Sequence, residues 1–195
     1  MDGVAYTTGL PLDSDHKEIH LSLTYMTRFL STPRFTSEVT GVLTHEMVHA
    51  YQYDAHGTCP GGLIEGIADY VRLKADLAPP HWKRNERSDK WDEGYQRTAY
   101  FLEWLEGEYG VGTVARINAG LREGEYESEK FWTGIFGVGR DVEWLFKRFR
   151  ESLKGEQVGG ERGGSSEDGV FVELEDAKIV VGAKFEKGED EIVLR

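Results

Sequence analysis

The run His45-Glu46-Met47-Val48-His49 constrains this chain more than any other five residues. On an α-helix, positions i and i+4 lie on one face, so two imidazoles at that spacing can grip the same ion. Glu46 lies about 100° further round the helix. It is off the ligand face but within reach of a water beside the ion, which is the HExxH arrangement of zinc peptidases. In that chemistry the zinc acidifies the water, and Glu46 takes its proton and passes it to the leaving amine. The spacing also demands a helix, and Val39, Val42, Leu43, Met47 and Ala50 recur at helical intervals from about 36 to 53. Ser37 is the expected N-cap. The uncharged Val42, Leu43, Met47, Val48 and Ala50 predict a largely buried helix, where two histidines and a glutamate without a metal would be costly.

Metal chemistry is confined to His, Glu and Asp. Cys59 is the only cysteine, which excludes an internal disulfide and a thiolate site. The net charge of −12 argues against nucleic acid as a partner. No apolar run is long enough to span a membrane. The start, MDGVAYTTGL, lacks the basic and apolar stretches of a secretory signal. Hydrophobic residues make up 39% of the 195, enough for a core.

A catalytic zinc needs a third protein ligand and an open position. His56 follows His49 by seven residues, but the HExxHxxGxxH spacing would place Gly at 52 and His at 55, where this chain has Gln52 and Ala55. A solvent-facing loop histidine is the better reading of His56. The other candidate is Glu65, opening the next helix (about 63 to 76), with Asp69 one turn on and placed to accept a hydrogen bond from a ligand imidazole. The competing reading of Glu65 is an acid favoured by the helix dipole. Tyr95 is the expected donor to the oxyanion, ahead of Tyr70 and His81, or else an aromatic packed on Trp91; both readings of Tyr95 stay open.

Elsewhere the pattern predicts loop over 1 to 16, a strand over Lys17–Leu23, and helices near 93–107, 111–121, 127–135 and 140–153. The tryptophans and tyrosines at 91, 95, 100 and 104 read as core, and His20 as a structural histidine. Residues 155–169 read as a flexible linker and 170–195 as a β-rich C-terminal extension. The expected fold is α+β, mainly helical: a zincin-like peptidase domain over 1–154 with a small sheet.

The runs Gly41–Gln52 (GVLTHEMVHAYQ), GGLIEGIADYVRLKA at 61–75 and WDEGYQRTAYFLEW at 91–104 resemble the plant basic secretory protein family, a zincin-like group also found in fungi and bacteria. MDGVAYT (1–7) and EIHLS (18–22) are similar to its upstream strand region. The resemblance covers about residues 1–150. It implies a secreted zinc metallopeptidase, with the position of His56 commonly not a histidine. It also implies a signal peptide, a helix and strands ahead of the matched segment, so the chain reads as truncated relative to the family. This chain is acidic where the family is basic, and its C-terminal stretch is not part of the family pattern.

The combined expectation is a zinc-dependent endopeptidase acting on a peptide, protein or glycoprotein. One catalytic Zn2+ ion is bound by His45, His49 and Glu65, with Glu46 as general base, Tyr95 as oxyanion donor and Asp69 orienting a ligand. In zincins a sheet edge pairs with extended substrate, so Ile19 and Leu21 are expected at the cleft rim. The alternative is a non-catalytic truncated relative that binds wall or partner molecules through the same cleft.

Overall fold

The structure, a computed structural model, describes residues 3–11, 16–158 and 191–194. The elements run β1 (Ala5–Gly9), β2 (Lys17–Ser22), α1 (Leu23–Thr27), α2 (Phe35–Tyr51), α3 (Gly61–Lys74), α4 (Tyr95–Tyr109), α5 (Thr113–Gly120), α6 (Ser128–Phe136), α7 (Val142–Val158) and β3 (Glu191–Leu194). The fold is α+β and mainly helical, as expected. No described helix is long and apolar enough to cross a membrane.

The strands form one antiparallel sheet in the order β1-β2-β3. β1 arises where composition reads as loop, in the segment that the family resemblance assigns to a strand region. It pairs Ala5 with Leu21 and Thr7 with Ile19. β3 pairs Ile19 with Leu194, so the final EIVL strand joins the sheet of the main domain rather than standing apart. α7 continues to Val158, four residues into the expected linker. Residues 159–169 of that linker and 170–190 of the extension lie outside the described residues.

Two apolar clusters hold the molecule. The larger gathers α3 to α7 around Phe101, Leu102, Leu105, Ile117, Trp132 and Leu145, all fully buried. Trp91 and Trp104 belong to it, as their helical spacing predicted, with Trp91 edge-on to Trp132. α3 and α4 approach closely because Gly66 carries no Cβ; one there would overlap the Thr98 side chain. The smaller cluster (Ile19, Leu21, Met26 and Val42) lies between the sheet and α2.

α2 begins two residues before Ser37. Its N-cap is Arg34, without a side-chain cap, and the Ser37 hydroxyl donates instead to the Arg34 carbonyl at 3.0 Å. Small polar residues just inside a helix often bond back in this way, and spacing alone does not separate the two cases.

Candidate metal centre and cleft

α2 buries an unusual face. Its buried positions are Glu38, Gly41, Val42, His45 and Glu46, with His49 half-buried one turn on. The expected burial holds for Val42, His45 and Glu46, whereas Met47, expected with them, is exposed. Met47 and Tyr51 are exposed on the opposite flank, where they border a shallow groove with Val48 and Val71. The His-Glu-His side faces α3 and β1.

α3 brings its acids to that side. His45 and His49 present their Nε2 atoms to each other at 3.0 Å. Glu65 lies across the gap, with Oε2 3.2 Å from His45 Nε2 and Oε1 3.7 Å from His49 Nε2. One ligand atom from each of the three lies within 4.8 Å of the others, a group that could hold a metal ion. Glu65 is the fifth residue of α3, beyond the first turn where the helix dipole favours an acid, and its carboxylate aims at both imidazoles.

Asp69, one turn further, is buried and accepts a hydrogen bond from His45 Nδ1 at 2.7 Å. That bond holds a proton on Nδ1 and directs Nε2 into the site, the arrangement seen behind metal-bound histidines. His49 has its own partner, the Gln52 amide, 2.7 Å from Nδ1. Gln52 was considered in the sequence only as a residue in the place of a glycine. His56 lies outside the group, exposed in a loop with φ of 58°.

Charge in the site is unevenly shared. Burial pulls His45 down, but hydrogen bonds to Asp69 and Glu65 outweigh it and hold its pKa up at about 9. Burial and the charge of His45 push His49 the other way. Burial raises Glu65, but the hydrogen bond from His45 and the charges of both histidines leave it below its ordinary value. Three carboxylates (Glu46, Glu65 and Asp69) thus surround the two rings, and among the described residues no Lys or Arg pairs with them. Two imidazoles and a carboxylate, short of positive charge, suit a divalent cation of zinc's ligand preference.

Glu46 points away from the three, towards β1. The Thr7 hydroxyl lies 2.7 Å from Glu46 Oε2 and 2.9 Å from the Glu46 carbonyl. Burial raises the Glu46 pKa, partly offset by the Thr7 hydrogen bond and the charge of His45. Sequence reasoning missed Thr7, because a residue in an apparent loop 39 positions from its partner carries no local signal.

Tyr95 starts α4 in the left-handed region, with φ of 48° after Gly94 at 86°. Thr98 fixes this bend: its hydroxyl donates to the Trp91 carbonyl and accepts from the Gly94 N–H, both at 2.9 Å. The Tyr95 ring lies nearly parallel to His45, 12° off with centroids 6.3 Å apart, while Trp91 packs on Trp132. The charge of Glu65, then burial, raise its pKa, so the phenol keeps its proton. His81 also borders the cleft, whereas Tyr70 does not and packs against the larger core.

The cleft holds about 950 Å³ and runs from residues 3–7, which lead into β1, past the histidines to Arg72 and Trp82. Ile19 and Leu21 do not line it. They are buried beneath the sheet in the smaller cluster, and β1 stands at the rim in their place. Strand alternation identifies the inward face of β2, but not which strand lies nearer the helix. At the far end Arg72 pairs with buried Glu38 at 3.2 Å.

The family model described as "Peptidase of plants and bacteria" matches residues 1–149, and the chain belongs to that family, the one its helical motifs resemble. No curated protein and no solved structure matches it.

Proposed function

We propose that this protein is a zinc-dependent endopeptidase in which His45, His49 and Glu65 hold one catalytic Zn2+ ion. The observation that carries the reading is the convergence of both Nε2 atoms and the Glu65 carboxylate, with the His45 tautomer set from behind by Asp69. A zinc ion held there supplies a Lewis acid for water and for the scissile carbonyl.

The remaining steps fall to the chain's own groups. Glu46, one residue round from His45 and raised by burial, takes a proton from the attacking water and returns it to the leaving nitrogen. Thr7 holds the Glu46 carboxylate to one side, leaving Oε1 for that exchange. Tyr95, protonated beside His45, donates to the oxygen on which negative charge develops.

β1 offers the track for an extended peptide. The Ser22 N–H bonds to the Val4 carbonyl and the Leu10 N–H to the His16 carbonyl, so even-numbered residues of this strand aim their backbone at β2. By alternation Ala5 and Thr7 aim theirs at the open edge. A substrate strand added there would run beside the three ligands, bound through its backbone and so with little demand on sequence.

The test joins metal analysis to cleavage of unfolded protein and glycoprotein substrates. The parent is expected to hold one zinc, His45→Ala to lose it, and Glu46→Gln to keep it while cleavage falls by about 10²–10⁴-fold. A folded, zinc-loaded parent that cleaves nothing would leave the binding-only alternative standing. An unchanged rate in Glu46→Gln would remove Glu46 from the chemistry.

A further inference from the structure

The two histidines are supported differently. His45 has a buried carboxylate behind it. His49 has a neutral amide, Gln52, which is the C-cap of α2. At that residue the chain leaves the helix in an extended conformation (φ −75°, ψ 158°), while its N–H still closes the last turn on the Val48 carbonyl at 2.8 Å. The side chain folds back over the final turn, and i to i+3 is a contact distance on a helix. Its reach to Nδ1 therefore follows from where the helix ends.

The geometry points to Gln52 as the positioning residue that holds His49 in its metal-binding tautomer, by accepting a hydrogen bond from Nδ1–H through the side-chain carbonyl oxygen. This rests on the reading that His49 Nε2 holds zinc. That nitrogen faces His45 and Glu65, so a bound ion would leave Nδ1 as the proton-bearing atom. Nδ1 lies 2.7 Å from the Gln52 amide, its one hydrogen-bond partner among the described residues.

The structure shows the amide turned the other way. Its Nε2–H donates to Nδ1, and Oε1 is buried without a partner. A half-turn about the last side-chain bond exchanges the two atoms. Nε2 then occupies the unpartnered place, so the number of bonds does not rise. What improves is the kind of bond, because an N–H on a cation-bound ring is polarised and its acceptor bond strengthens accordingly. An amide can serve His49 in either state, whereas the Asp69 carboxylate behind His45 can only accept.

Zinc affinity, measured by competition with a chromogenic chelator, tests this directly. Gln52→Met keeps the length and removes the acceptor; it is expected to bind zinc about 10–100-fold more weakly. Gln52→Glu keeps the acceptor and is expected to match or exceed the parent. Metal-free forms of all three should unfold at similar temperatures, because the bond matters to the loaded ring. Parent-like affinity in Gln52→Met overturns the assignment, as does a tenfold fall in Gln52→Glu. Should Gln52→Met not fold, the Gln52→Glu result decides alone. If the parent itself takes up no zinc, the metal reading fails first and this one with it. A parent that binds zinc beside an equally tight Gln52→Met removes only the role of Gln52.

Discussion

The two sides of the cleft are built by different physics. Beyond α3, helices α4 to α7 close over seventeen buried core residues, including Phe101, Trp104, Trp132 and Phe149. On the other side, among the described residues, the sheet and α1 share with α2 a cluster of four, namely Ile19, Leu21, Met26 and Val42. Ions and hydrogen bonds take over there. Buried Glu38 bonds to Tyr25 at 2.7 Å, to Arg34 at 3.1 Å and to Arg72 at 3.2 Å, and Arg72 lies over the Trp82 ring. The ligands sit on the seam. The thick side sets Glu65 and Asp69 through packing of α3 on α4; the thin side carries the strand proposed as the peptide track and the Thr7 contact to Glu46. A site that must admit a chain from one side needs a thin wall there, and ion pairs can join α1, α2 and α3 where little apolar area is available to bury.

The comparison can be broken by treating the two sides alike. Phe101→Ala on the thick side is expected to cost about 3–5 kcal/mol by denaturant titration, with little dependence on pH. Glu38→Gln on the thin side is expected to cost about 3 kcal/mol near neutrality, because it leaves Arg72 buried with less compensation. Its pH dependence is the sharper check. Burial raises the Glu38 carboxyl, but the bonds from Tyr25 and Arg72 outweigh it and hold the pKa below the ordinary 4.5. A depressed folded value means that the stabilisation is complete above about that pH and is lost as pH falls through the folded value. The gap between the parent and Glu38→Gln should therefore narrow below 4.5, whereas the Phe101→Ala gap should not. Equal narrowing in both would end the distinction. Smallest is Thr7→Val, which removes a bond worth about 1 kcal/mol. It should slow cleavage by about tenfold or less and leave bound zinc unchanged in metal analysis; lost zinc would mean that the strand supports the ligands as well as the base.

Much of the site was legible because its geometry is local. His45 and His49 share a face at any helical spacing of four, and Asp69 follows Glu65 by the same rule on α3. Glu65 needed more: its spacing to Asp69 and its distance from the HExxH helix indicated it, but only the packing of α3 against α2 shows its carboxylate 3.2 Å from His45 Nε2. Tyr95 remained open between two partners until its ring was seen beside His45 and Trp91 was seen against Trp132. The assignment of Ile19 and Leu21 to the rim failed for a related reason. Both face inward as alternation required, but the order of strands puts β1, not β2, beside the cleft.

By itself, then, the sequence determined the helices, the paired histidines with their neighbouring glutamate, the acid pair that follows, and membership in a peptidase family. All but the last depend on periodicity within one element, where a backbone of 3.6 residues per turn leaves little choice, and the last on the resemblance of whole motifs. The tertiary structure decided which side of α2 is buried, which strand borders the cleft, that Thr7 meets Glu46, and that the end of α2 lays Gln52 against His49. Those depend on how rigid elements pack and where they stop, and contacts between residues as far apart as 7 and 46 leave no periodic trace in the chain that makes them.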